Sequence, residues 1–175
     1  NRLFMPNNEL AQKAEEYLTQ MMAGKDSAGG VIECTVNGMP VGIGEPVFDK
    51  LDACLSHALL SIGAVKGVEF GSGMAAAKSN GSTNNDEFYM ENGQVQKRTN
   101  HAGGILGGMS DGSDLVLRAA LKPTPSIAQA QQTVDVHGEN TELIIHGRHD
   151  PIIVPRAVVV VESMVAITLV DLLFE

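Results

Sequence analysis

Three short stretches carry polar groups that a packed core does not need. The first is Lys122-Pro123-Thr124-Pro125-Ser126. Its two prolines fix the backbone, while one ammonium and two hydroxyls at close spacing suit a phosphate as well as they suit a rigid exposed turn. The second is Gly147-Arg148-His149-Asp150-Pro151, which leads through Pro155 and Arg156 into the last apolar segment. Charges crowded between two apolar elements are costly to bury unless they meet a ligand or each other. Asp150 beside Arg148 reads as a local salt bridge or as part of a site, and His149 as a base or as an ordinary hydrogen-bonded histidine. Arg156 near a helix start opposes the dipole unless an anion lies nearby. The third is 101–112, where the glycines of Gly103-Gly104-Ile105-Leu106-Gly107-Gly108 permit either close backbone approach to a ligand or tight turns.

Other chemistries lack their residues. No GxGxxG, GxSxG, HExxH, P-loop or EF-hand spacing occurs. His146 and His149 are separated by Gly147 and followed by Pro151, which argues against a shared helical face, and no third ligand sits at metal spacing, so no metal is expected. The methionines read as core filler.

The elements that must position these stretches follow from apolar periodicity. Leu10, Ala14, Tyr17, Leu18, Met21 and Met22 form a helical stripe after Asn7-Asn8 and before Gly24. Alternation from Val31 to Val36 predicts a strand, Leu51 to Ile62 a second helix, and Val65 to Phe70 another strand. Residues 71–87, rich in Gly, Ser and Asn, predict a mobile excursion. Phe88–Met90 and Val95 flank the hairpin pair Asn92-Gly93. Leu115–Leu121 and Thr141–His146 predict strands, the latter after a His137-Gly138 turn, and Arg156 to about Leu173 a largely buried helix. Connections too short for parallel crossovers give an α+β fold with an antiparallel sheet.

The 175 residues, 43% hydrophobic and 19% charged, predict one domain over 1–175 with a real core. With 12 Lys+Arg against 21 Asp+Glu, net −9, a broad nucleic-acid surface is disfavoured, so any anion site must be local. No uninterrupted apolar run reaches about 18 residues, which argues against a membrane span. Cys34 and Cys54 lack CxxC spacing and read as core thiols of a reducing, cytoplasmic setting. The chain opens Asn1-Arg2-Leu3 with no initiator Met, and a portion of a longer chain is expected.

Five segments, in this order, resemble chorismate synthase: Gly44-Glu45-Pro46-Val47-Phe48-Asp49-Lys50-Leu51-Asp52-Ala53, Ala64-Val65-Lys66-Gly67-Val68-Glu69, Asn100–Gly108, Lys122-Pro123-Thr124 and Gly147–Pro151. The likeness runs from about Asp26-Ser27 to the end of the terminal helix. It implies a β-α-β sandwich-like fold, with antiparallel sheet packed against helices, in a homotetramer. It also implies a lyase of the shikimate pathway and aromatic amino acid biosynthesis, catalysing anti-1,4 elimination of phosphate from 5-enolpyruvylshikimate 3-phosphate to give chorismate, with reduced FMN. Whether an outside reductase or a built-in NADP-linked activity keeps the flavin reduced stays open.

Position by position, Gly63-Ala64 resemble a flavin contact where many members have Asn-Ala. Gly107 resembles the glycine that lets backbone approach the flavin, Lys122, Pro123, Thr124, Pro125 and Ser126 the loop around its phosphate tail, and Arg148 an arginine beside it. Asp150 resembles the acid that assists proton removal. Family chains are roughly twice as long, and the half with two catalytic histidines and most phosphate-binding arginines has no counterpart here. The resemblance therefore implies a C-terminal portion that is catalytically silent alone and binds FMN weakly. The alternatives are a non-catalytic flavin-binding or assembly module, and a structural α+β domain without a ligand.

Overall fold

The computed structural model describes residues 1–147 and 149–174. They fall into two compact units: Asn1–Gly30 with Leu121–Val158, and Val31–Ala120 with the chain from Val159 onward.

In the first unit, helix α1 (Asn8–Ala23) starts where the Asn7 side chain accepts from Leu10 N at 3.0 Å, and stops at Gly24, whose N–H returns to Gln20 O. It buries Ala11 and Leu18. Ala28 N donates to Pro151 O at 2.7 Å, and Ala28 forms a parallel bridge with Ile152, so the arm after α1 lies against the link that carries Asp150.

The second unit is built on a three-stranded sheet in the order β1 (Gly30–Val36), β7 (Leu115–Leu121), β2 (Val65–Phe70). The Glu33–Arg118 ion pair bridges β1 and β7; Gly67 opposite Ala120 and Gly71 N on Val116 O show β2 running antiparallel to β7. Leu115, Leu117 and Ala119 of β7 are buried at period two, as the alternation predicts. Over the sheet lies helix α2 (Leu51–Leu60), whose Leu51, Leu55 and Leu59 recur every four residues and are fully buried. This is α+β with antiparallel pairing.

The remaining elements are small. Segment 71–87 carries a 3-10 turn (Gly73–Lys78) and the one-turn helix α3 (Gly81–Asn84). Strands β3 (Phe88–Glu91) and β4 (Gln94–Lys97) form the hairpin signalled by Asn92-Gly93, both at positive φ. Two-residue strands β5 (Ile105–Leu106) and β6 (Met109–Ser110) make a hairpin that the sequence reading does not anticipate. Gln131–Val134 (β8) pairs antiparallel with Asn140–Leu143 (β9), so the strand expected over 141–146 is earlier and shorter, and has a partner too polar to show alternation.

Helix α4 (Val154–Phe174) has 21 residues, and Val161, Val165 and Leu169 bury one face. Val159, Val160, Ile167, Val170, Leu173 and Phe174 remain exposed, so the expectation of a largely buried helix is corrected. The segment is also long and apolar enough to cross a membrane by length and composition, because Arg156, Glu162 and Asp171 are too sparse to break it. Core helices pass the same test. Cys34 and Cys54 are half-buried rather than core thiols, and neither forms a disulfide. Burial first, then the Glu162 charge, pushes the Cys34 thiol pKa up, which keeps it protonated.

Candidate functional site

Candidate residues occur in both units. In the first, a cleft of about 180 Å³ is lined by Lys25, Asp26, Ser27, Ser126, His149 and Asp150, among others. Ser126 reaches it because Pro123 and Pro125 hold the chain after β7 extended, and Ile127 N closes a tight turn on Pro125 O. Ser27 Oγ donates to Thr124 O at 2.7 Å, joining the Lys122–Ser126 loop to the arm after α1. Two side-chain atoms of this unit, His149 Nε2 lining the cleft and Thr124 Oγ1 in the Lys122–Ser126 loop, are buried with no hydrogen-bond partner among the described residues. An unsatisfied buried hydroxyl or imidazole nitrogen costs about 1–3 kcal/mol, a cost that a water or a polar ligand would relieve. Lys122, the first residue of this loop, is exposed.

Asp150 pairs with Arg156 at 2.8 Å; their side chains are 34% and 75% exposed. The first turn of α4 brings Arg156 back over the link, and Asp150 is the anion that makes a cation tolerable at that helix start. Arg148 lies outside the described residues.

In the second unit, Gly63-Ala64 connect α2 to β2. Ala64 adopts φ 73°, a left-handed conformation that a Cβ disfavours by about 1–2 kcal/mol, while a side chain at Gly63 would meet nothing within 4 Å. Strain of this kind concentrates at functional turns. Replacing Ala64 by Gly is expected to raise unfolding stability by up to about 1 kcal/mol, the relieved strain exceeding the entropy that glycine returns to the unfolded chain, as chemical denaturation would measure.

Gly107, at φ 61°, is the first residue of the Gly107-Gly108 turn between β5 and β6, and the space where its Cβ would point is open. Gly108 O accepts from Leu51 N at 2.8 Å, so the same turn caps α2.

Sequence reasoning misses a buried ionic cluster beneath this turn. Lys97 Nζ lies 2.7 Å from Asp111 Oδ2, 3.4 Å from Asp86 Oδ2 and 3.1 Å from Asn100 Oδ1, and the three charged side chains are only 5%, 8% and 3% exposed for Lys97, Asp111 and Asp86. Burial works against ionisation of Asp86, but hydrogen bonds from Ala102 N, Thr99 Oγ1 and His101 N, with the Lys97 charge, outweigh it and hold its pKa down at about 2. Asp111 is lowered in the same way, against its own burial, by Lys97 and Ser113. The only available signal was the density of polar residues in Asn84-Asn85-Asp86-Glu87 and Lys97-Arg98-Thr99-Asn100, which reads equally well as solvated loop.

Comparison with known proteins follows this geometry. A family model described as chorismate synthase matches residues 1–174. The chorismate synthase of Lachnoclostridium phytofermentans is 63% identical over 172 residues, 98% of this chain and 47% of its own length. That of Agathobacter rectalis is 61% identical over 173 residues, 99% of this chain and 47% of its own. A solved structure described as chorismate synthase superposes with a TM-score of 0.79 at 31% identity, covering 97% of this chain and 44% of that one. The chain thus spans about half the length of the curated relatives it matches.

Proposed function

The chain belongs to the chorismate synthase family, and from that premise we propose that the whole protein eliminates phosphate from 5-enolpyruvylshikimate 3-phosphate to give chorismate, with reduced FMN bound. The observation that carries the cofactor assignment is the orphaned buried His149 Nε2 lining a cleft that also bears Ser27 and Ser126, with a second orphaned atom, Thr124 Oγ1, two residues from Ser126 along the chain. Hydroxyls, an imidazole and the Lys122 ammonium suit the phosphate-bearing tail of such a coenzyme. When bound, reduced FMN supplies an electron-rich ring that stabilises charge as the allylic phosphate departs.

The chain's own residues supply the rest. The prolines of Lys122–Ser126 hold the tail-binding hydroxyls in place before the ligand arrives, which lowers the entropy cost of binding. Gly107 and Gly63-Ala64, in the second unit, are assigned to the coenzyme on resemblance alone; at Gly63 and Gly107 the space beside the backbone is open. Asp150 receives the proton lost in the anti-1,4 elimination, so that one C–O bond and one C–H bond break while the new double bond forms. Arg156 engages its Oδ2 and orients the carboxylate. Arg148, in the same link, is assigned to the coenzyme on resemblance alone. A homotetramer belongs to the same reading, and the uncovered apolar side of α4 supports further packing partners.

The test compares FMN with riboflavin, which lacks the phosphate, by flavin fluorescence in the full-length protein. Wild type should prefer FMN; Lys122→Ala and Ser126→Ala should each cut that preference by about 5–10-fold, the loss of one charge-assisted or hydroxyl contact. Equal affinity of wild type for the two flavins would remove the assignment of this loop to the phosphate. A non-catalytic flavin module would bind FMN yet release no phosphate from substrate.

A further inference from the structure

The buried cluster of the second unit has no role in the reading above, yet every member of it ties down the glycine-rich turn. Asp86 Oδ1 accepts from Thr99 Oγ1 and from His101 N, both at 2.7 Å, and Oδ2 accepts from Ala102 N at 3.0 Å. Lys97 joins that carboxylate to Asn100 and Asp111. Asn100 Oδ1 accepts from Gly104 N at 2.9 Å, and its Nδ2 donates to Asp114 O at 2.8 Å. Gly104 O in turn accepts from Asp111 N at 3.0 Å. Both polar atoms of the Gly104 peptide, one on each side of its Cα, are therefore held by the cluster. The short hairpin from Ile105 to Ser110, with Gly107 at its tip, leaves from this closed ring.

Backbone bonds brace the same shape, Gly103 N donating to Asn100 O at 3.1 Å, Val116 N to Gly103 O at 3.1 Å and Ser72 N to His101 O at 2.8 Å, and the cluster takes the amides that these leave. Gly103 and Gly104 are at positive φ, and a Cβ on Gly103 would collide with the Gly71 backbone, so close packing demands glycines that by themselves lose the most entropy on ordering. His101 adds a strut: its Nδ1 lies 3.0 Å from Asn84 O, an acceptor only, so the ring donates from Nδ1.

We propose that Asp86 is a positioning residue for the coenzyme-facing turn: by collecting the His101 and Ala102 amides and anchoring Lys97, it sets the conformation from which Gly107 is presented. The inference rests on the assignment of Gly107 to the flavin, but the effect of Asp86 on the turn is testable apart from it. A carboxylate is required because every group around it donates, and an amide of the same shape turns an NH2 toward one of those donors.

In the full-length protein, Asp86→Asn should weaken FMN binding about 10-fold, a loss of about 1.4 kcal/mol, by flavin fluorescence. Amide hydrogen exchange over 100–104 should speed up in the same variant, without flavin present. Leu117→Val, which loosens the buried sheet of the same unit, serves as the control: it should lower the melting temperature and leave FMN affinity unchanged. If Asp86→Asn does not fold, Thr99→Val removes one donor at an exposed position and should weaken FMN about 3-fold. Unchanged exchange and affinity in these variants, or equal weakening by Leu117→Val, would overturn the proposal. Wild type that binds no FMN would instead overturn the flavin assignment, with the exchange measurement still deciding the role of Asp86.

Discussion

In the full-length enzyme, Asp150→Ala is expected to lower kcat by about 10²–10⁴-fold with little change in the KM for substrate, the loss attached to one positioned proton acceptor. The carboxylate is part of a cleft, half-buried, and oriented by one firm contact, Arg156 at 2.8 Å. Two explanations for that arrangement differ in their consequences. If the carboxylate serves only to neutralise Arg156 at the start of α4, its removal costs at most about 1 kcal/mol of stability, as exposed pairs do, and turnover is untouched. If it accepts the proton, turnover collapses while the melting temperature barely moves. Arg156→Ala separates the cases further. It should lower kcat by a smaller factor, about 10-fold, because the carboxylate remains but loses its orientation. Single-turnover phosphate release in each variant would measure this, and an Asp150→Ala enzyme with undiminished turnover would strip the residue of its proposed part.

What could be read from sequence depended on how local the cause was. The fully buried trio Leu51, Leu55 and Leu59, the alternation of Leu115, Leu117 and Ala119, and the Asn92-Gly93 hairpin all announce themselves because burial and twist act at fixed spacing along the chain. The β5–β6 hairpin has only two residues on each side of Gly107-Gly108, too short for any period to show. The β8–β9 pair is polar on both faces and leaves no alternation to find. Site residues follow the same division. The Lys122–Ser126 loop stands out for its prolines and hydroxyls in a row, which suit a rigid turn as well as a phosphate, whereas the Asp150–Arg156 pair does not show along the chain, because only the first turn of a helix returns Arg156 to the link. The ring of Asp86, Lys97 and Asp111 was hidden for a stronger reason: its members are 11 to 25 residues apart, and only tertiary closure turns three ordinary surface residues into a buried cluster. Roles toward a coenzyme came from resemblance, since neither period nor burial specifies a ligand.

That cluster supplies the largest expected change in stability. Lys97→Met should destabilise the protein by about 3–5 kcal/mol at pH 7, because the methionine fits the space but leaves two buried carboxylates with no cation. The pH dependence identifies the cause. In wild type, Asp86 is held near a pKa of about 2, and Asp111 is also lowered, so both contribute stability above about pH 4, where the unfolded carboxylates are ionised. The Asp86 contribution, about 2 kcal/mol, drains away as pH falls from about 4 toward 2. Without Lys97, Asp111 loses the main group that opposes its burial, and its pKa should rise above the unfolded value. A raised carboxyl destabilises when ionised, so the variant should gain stability relative to wild type as the solution is acidified. Urea denaturation of both proteins between pH 7 and pH 4 should show the gap closing, whereas a simple packing defect at Lys97 would hold the gap constant across that range.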